Sequence, residues 1–171
     1  YIIDLNKLLF KRKKMGKIIE GKKIPTFKAD ATNDSVFDLK NNKKNLVIYF
    51  YPKDNTPGCT TEGENFRDLY KKFKDVNAEI FGVSRESLKS HENFKEKFKF
   101  PFELISDPEE KLCKLFDVIK EKSMYGKKYM GIERSTFLID SNNKLIKEWR
   151  KVKVPGHAQE VLETLEEYLK S

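Results

Sequence analysis

Cysteine is scarce in this chain. Cys59 and Cys113 are the only two among 171 residues. A pair does not make the disulfide framework of a small secreted domain, and such sparing use suits a reducing compartment. Histidine is equally sparse: His91 and His157 lie far from each other and from the cysteines, so the spacing of a zinc site is missing. No apolar run approaches the ~20 residues that span a bilayer. No internal repeat, low-complexity tract or Gly/Ser-rich linker interrupts the chain, so one continuous domain is expected from residue 15 to residue 171.

What is present fits one core. The length falls within the roughly 100–200 residues of an ordinary domain. Hydrophobic residues make up 38% and aromatics 12%, too much apolar material for a disordered chain. Charged residues reach 36%, with a net charge of +8. A basic balance can signal nucleic-acid or membrane contact. Here the lysines are spread along the chain and mixed with 27 acidic residues, which reads as a solvated ionic surface. A basic nucleic-acid-binding module would rest on that charge alone, without zinc spacing or an RNA-binding aromatic signature. Residues 1–14, YIIDLNKLLFKRKK, mix apolar and basic residues and are broken by Asp4, Asn6 and Lys7, unlike a secretory signal. Two readings stay open: an extension upstream of a natural start at Met15, or a short targeting or docking arm.

The pattern alternates strands and helices. Lys23 to Ala31 and Val36 to Leu39 read as extended, separated by a turn at Asn33-Asp34-Ser35. The apolar runs Leu46 to Tyr51 and Glu79 to Ser84 read as buried strands. Thr60 to Asp75 sets Phe66, Leu69 and Phe73 on one helical face. Ser87 to Phe98 does the same with Leu88, His91, Phe94 and Phe98, so His91 reads as structural. Phe102 to Ile105 is short and extended. Asp107-Pro108 reads as a cap and first turn opening a helix with Leu112, Leu115 and Phe116 inward. Ser135 to Asp140 and Leu145 to Arg150 flank a turn as a hairpin. A last helix begins near His157. Lys120 to Lys128 reads as a charged loop at a pocket rim. The sum is an α/β sandwich with a mixed central sheet.

Chemistry concentrates in Tyr49 to Leu69. A buried strand ends at Tyr51, a loop with Pro52 and Pro57 follows, and Gly58-Cys59 opens a helix. Cys59 is thereby placed at a helix N-terminus, where unpaired N–H groups and the positive dipole end stabilise an anion. The thiolate is the nucleophilic form of cysteine. Pro57 fixes its backbone angle and Gly58 removes a side chain, so a ligand can come close.

Pro52, Thr56 and Cys59 form P-x-x-x-T-x-x-C, which resembles the peroxiredoxin active-site signature. The longer string YFYPKDNTPGCTTE at 49–62 resembles the bacterioferritin-comigratory-protein branch of that family. FGVSRES at 81–87, Asp107-Pro108, ERSTFLID at 133–140 and WRKVKVPGHA at 149–158 resemble it too, in the same order. The resemblance covers nearly everything after Met15. It implies a thioredoxin-like three-layer sandwich, its mixed central sheet flanked by helices. It also implies reduction of hydrogen peroxide and organic hydroperoxides without metal, haem or flavin. Cys59 would be the peroxidatic nucleophile. Thr56 would offer its hydroxyl to peroxide and thiolate, Pro52 would shield the site from water, and Arg134 would hold a guanidinium beside the sulfur. Pro57, Gly58 and Glu62 would complete the pocket, with Glu62 near enough to act through hydrogen bonds. Monomer and cytoplasm are the defaults the branch implies.

The chain departs from the branch where many members carry a second, resolving cysteine. Five residues after Cys59 stands Glu64, and the alternative stretch from His91 to Phe100 has no cysteine. Cys113 flanks the core face of its helix and reads as a partly buried small residue. The expectation is a one-cysteine mechanism with thioredoxin, glutaredoxin or glutathione as external reductant. A Cys59–Cys113 disulfide is the alternative.

Overall fold

In the computed structural model, which describes residues 18–171, every residue of the strand Asn45–Phe50 (β3) is buried. That is what a continuous apolar run becomes when both faces of a sheet are covered. The other strands are β1 Lys28–Ala31, β2 Ser35–Asp38, β4 Ala78–Ser84, β5 Glu103–Ser106, β6 Ile119–Met124, β7 Lys127–Ile132, β8 Ser135–Ile139 and β9 Leu145–Trp149. The helices are α1 Pro57–Asp75, α2 Leu88–Phe98, the five-residue α3 Lys111–Leu115, and α4 His157–Lys170. Residues 1–14 and the boundary expected at Met15 lie outside the described residues.

Among the described residues, seven strands form one sheet in the order β2-β1-β5-β4-β3-β8-β9, while β6 and β7 form a separate pair. β3 pairs in parallel with β4, and β4 with β5; the remaining pairs are antiparallel. The sheet is mixed, as the sequence pattern implied. Strand alternation sorts the core into two layers. Leu46, Ile48 and Phe50 join Val83, Phe116, Phe137 and Cys113 on one face. Val47, Tyr49 and Tyr51 join Phe66, Phe94, Leu162, Leu165 and Cys59 on the other. Burying each large side chain of this kind stabilises the fold by about 2 kcal/mol. α1, α2 and α4 contribute to the second layer and α3 to the first, which gives the three-layer α/β sandwich of thioredoxin-like proteins.

Two local expectations are corrected. Asp107 does cap a helix, since its carboxylate accepts from the Leu112 and Cys113 backbone N–H groups at 3.1 and 2.8 Å. The helix begins only at Lys111, because Glu110 before it sits in the left-handed region with φ 61°. The stretch Lys120 to Lys128 is part of the β6–β7 hairpin rather than a loop. Its turn is Tyr125-Gly126, both at positive φ, the geometry a tight hairpin turn demands.

Candidate active site

The geometry follows from register. Phe50 at the end of β3 pairs with Ser135 at the start of β8. Arg134, one residue earlier, is therefore delivered to the end of β3, where the loop toward Cys59 begins. That loop runs into α1, whose first residue is Pro57. Proline suits this position because its missing N–H would have no partner there. Thr56 is the N-cap residue, yet its hydroxyl makes no cap bond; it donates to the Lys53 carbonyl at 2.8 Å. Its oxygen keeps its lone pairs to accept.

Cys59 lies on the first turn of α1 and is 2% exposed. Arg134, 75 positions away in sequence, donates from Nη2 to the Cys59 Sγ at 3.3 Å and from Nη1 to Glu62 Oε1 at 2.6 Å. Cys59 and Glu62, three residues apart, share one helical face and hold the two arms of one fork. Gly58 makes room for it: a Cβ there would stand 3.3 Å from Arg134 Nη2. Pro52 and Thr56 are half-buried at the loop, and Pro57 and Gly58 are exposed.

Burial dominates the electrostatics. It raises the Glu62 carboxyl to about 7, against the pull of the Arg134 charge and hydrogen bond. Glu62 Oε2 is buried with no hydrogen-bond partner among the described residues. For Arg134, burial opposes the charge, but Glu62 and then Cys59 outweigh it and keep the guanidinium protonated. A guanidinium interacts more strongly with a sulfur anion than with a thiol. His157 opens α4 and bonds Thr136 Oγ1 through Nε2 at 2.7 Å. Burial, followed by the Arg134 charge, depresses it to about 4, so it stays neutral near pH 7. Trp149 packs edge-on against it at 5.6 Å.

The structure thus brings Cys59, Arg134 and Glu62 into direct contact and sets Pro52, Thr56, Pro57 and Gly58 in the adjoining loop and first turn. Cys113 it does not bring in. Its side chain lies in the opposite core layer, fully buried rather than partly. Burial and the neighbouring Asp107 push its thiol well above the ordinary range. Sequence reasoning missed Asp54, a buried loop residue bonded to Tyr51, Ser90 and His91. Lys122, within the stretch expected at a pocket rim, lies on β6 and comes under the influence of Arg134. Burial, then Arg134, lowers that ammonium.

A buried, helix-starting cysteine gripped by a distant arginine on a thioredoxin-like sheet defines a thiol-based oxidoreductase. Residues 20–148 match the sequence profile of the AhpC/TSA family. Peroxiredoxin Bcp of Xanthomonas campestris is 58% identical over 73% of this chain and 78% of its own. Peroxiredoxin Bcp of Bacillus subtilis is 51% identical over 86% of this chain and 94% of its own. A structure of the Xanthomonas campestris bacterioferritin comigratory protein, solved to explain its alkyl peroxide reduction, is 50% identical. It superposes with TM-score 0.79 over 83% of this chain and 91% of that one. A cysteine-to-serine mutant of Xylella fastidiosa PrxQ is 45% identical with TM-score 0.84, over 89% and 98%. The chain belongs to the AhpC/TSA family, among the peroxiredoxins of the bacterioferritin-comigratory branch.

Proposed function

We propose that this protein is a one-cysteine thiol peroxidase acting on hydrogen peroxide and organic hydroperoxides, with Cys59 as its nucleophile. The Cys59 thiolate attacks the terminal O–H oxygen of the peroxide. A sulfur–oxygen bond forms, the O–O bond breaks, and the electron pair leaves on the departing oxygen, which takes a proton from water. The sulfur is oxidised to a sulfenic acid and the peroxide is reduced to water or an alcohol. Arg134 supplies charge beside the sulfur and a donor for the oxygen that becomes negative. Thr56, its own proton already committed to Lys53, accepts from the peroxide O–H and aligns it. Pro52 limits water at the site. Glu62 fixes the guanidinium.

The observation that supports this most is the 3.3 Å contact between Arg134 Nη2 and Cys59 Sγ, made across 75 residues of sequence. The one-cysteine course draws on the separation of the two sulfurs, which lie in core layers on opposite faces of the sheet. An intramolecular disulfide would require that layering to open. Reduction then falls to an external thiol, such as thioredoxin, glutaredoxin or glutathione. Two equivalents return the sulfenic acid to the thiol, releasing water and a disulfide. No described helix is long and apolar enough to cross a membrane. A monomer working in the cytoplasm completes the reading.

Rapid mixing with peroxide, followed by Trp149 fluorescence, tests the proposal. Wild type and Cys113→Ser should share a fast phase that Cys59→Ser lacks, and both should turn over with added thiol. Loss of turnover in Cys113→Ser would contradict the one-cysteine course.

A further inference from the structure

Asp54 lies in the loop between Pro52 and Thr56, yet its carboxylate points inward, its side chain 2% exposed. Oδ1 accepts from Tyr51 Oη at 2.6 Å, at the end of β3. Oδ2 accepts from Ser90 Oγ at 2.8 Å and faces His91 Nδ1 at 2.7 Å, both in the first turn of α2. His91 is itself fully buried, and its Nε2 lies 2.9 Å from the Ile105 carbonyl of β5. A carbonyl only accepts, so Nε2 carries a hydrogen. The contact at Nδ1 needs a second hydrogen, on the ring or on the carboxyl. Burial would raise the Asp54 carboxyl, but His91, with Tyr51 and Ser90, outweighs it and holds it below the ordinary range.

A buried polar pair is a weak source of stability, since an apolar pair of equal volume often serves as well. What this one does is geometric. The end of β3 and the first turn of α2 converge on one carboxylate in the loop beside Cys59, and His91 ties that junction to β5. The residue before it, Lys53, offers the carbonyl that takes the Thr56 hydroxyl proton at 2.8 Å. Asp54 thus sets the Lys53 carbonyl, and that carbonyl sets which way the Thr56 lone pairs face.

We infer that Asp54 and His91 are positioning residues for peroxide attack: they lock the loop to α2 and β5 so that Thr56 presents an acceptor to the incoming peroxide. The inference rests on the reading of Cys59 as the nucleophile. It predicts that the lock matters for peroxide, which needs Thr56, and hardly at all for a reagent that needs only the sulfur.

The test compares two second-order rates on the full chain: oxidation of Cys59 by hydrogen peroxide and its alkylation by iodoacetamide. Asp54→Ala strips the lock, and a misplacement of under an ångström should slow oxidation roughly 30-fold while alkylation stays within about threefold. Asp54→Asn restores it: the amide N–H donates to Nδ1 of neutral His91, Nε2–H still donates to Ile105, and the amide oxygen accepts from Tyr51. Both rates should return to within about threefold of wild type. Should Asp54→Ala not fold, Ser90→Ala removes a single donor and should slow oxidation about fivefold with alkylation unchanged. Oxidation at the wild-type rate in Asp54→Ala or Ser90→Ala overturns the inference. So does equal loss of both rates, or an Asp54→Asn as slow as Asp54→Ala. Failure of the underlying reading looks different: the wild type itself would show no Cys59-dependent oxidation.

Discussion

Replacing Gly58 with alanine should raise the stability of this protein and lower its activity. Gly58 is the second residue of α1, and its backbone is not in the left-handed region. Alanine can adopt that conformation and loses less chain entropy on folding. The gain is about 0.5–1 kcal/mol, or about 1–4 °C in Tm for a chain of this size. The new Cβ would stand 3.3 Å from Arg134 Nη2, closer than an ordinary contact, so the guanidinium must yield by a few tenths of an ångström. Nη2 is the atom that donates to the Cys59 sulfur at 3.3 Å. A full ångström of misplacement costs ~100-fold in rate, so this displacement should cost about 3- to 10-fold. Stopped-flow oxidation read through Trp149 gives the rate, and calorimetry the Tm. A higher Tm with an unchanged or faster rate would refute the idea that guanidinium placement governs attack on peroxide.

Arg134→Ala should slow sulfenic acid formation by about 10²–10³-fold, the usual cost of losing a donor to a developing oxyanion. Arg134→Lys should fall between, because an ammonium cannot bridge Cys59 and Glu62 as a fork does; stopped-flow rates check both. Glu62 gives a pH signature. Its carboxyl is raised from 4.5 to about 7 by burial, so between those values the folded protein keeps a proton that the unfolded chain releases. Stability should fall as pH rises through that window, by about 3 kcal/mol in all, and urea melts of Glu62→Gln should lack the slope. Cys113→Ala should cost about 1–2 kcal/mol through lost core packing and leave peroxide turnover within about twofold of wild type, measured by denaturation and coupled assay.

The long elements were legible because one period governed each. β3 is apolar from Leu46 onward, and α1 places Phe66 and Phe73 on a single buried stripe. The β6–β7 hairpin was not legible. Its strands are mostly exposed, so no alternation of apolar and polar residues marks them, and the Tyr125-Gly126 turn was the one available signal. The start of α3 depends on Glu110 adopting a positive φ, which local sequence does not require. At the site, the place of Cys59 at the start of a helix was readable from helix chemistry, while Thr56 was singled out only by the motif that carries the resemblance. The contribution of Arg134 could be placed only through resemblance, because strand register creates it. Glu62 was expected near enough to Cys59 to act through hydrogen bonds, but that both meet Arg134 follows from the strand register and not from local spacing. Asp54 gave no sign: an aspartate in a polar loop looks solvated. Its only hint was His91, a polar ring on an apolar stripe, which needed a buried partner.

Mass spectrometry under non-reducing conditions, after one equivalent of hydrogen peroxide, bears most directly on the central claim. Wild type and Cys113→Ser should each gain one oxygen, or, with dimedone present, one dimedone joined to the Cys59 sulfur with loss of water, and Cys59→Ser should gain neither. A wild-type chain that instead loses two hydrogens, with Cys59 and Cys113 joined, would contradict it.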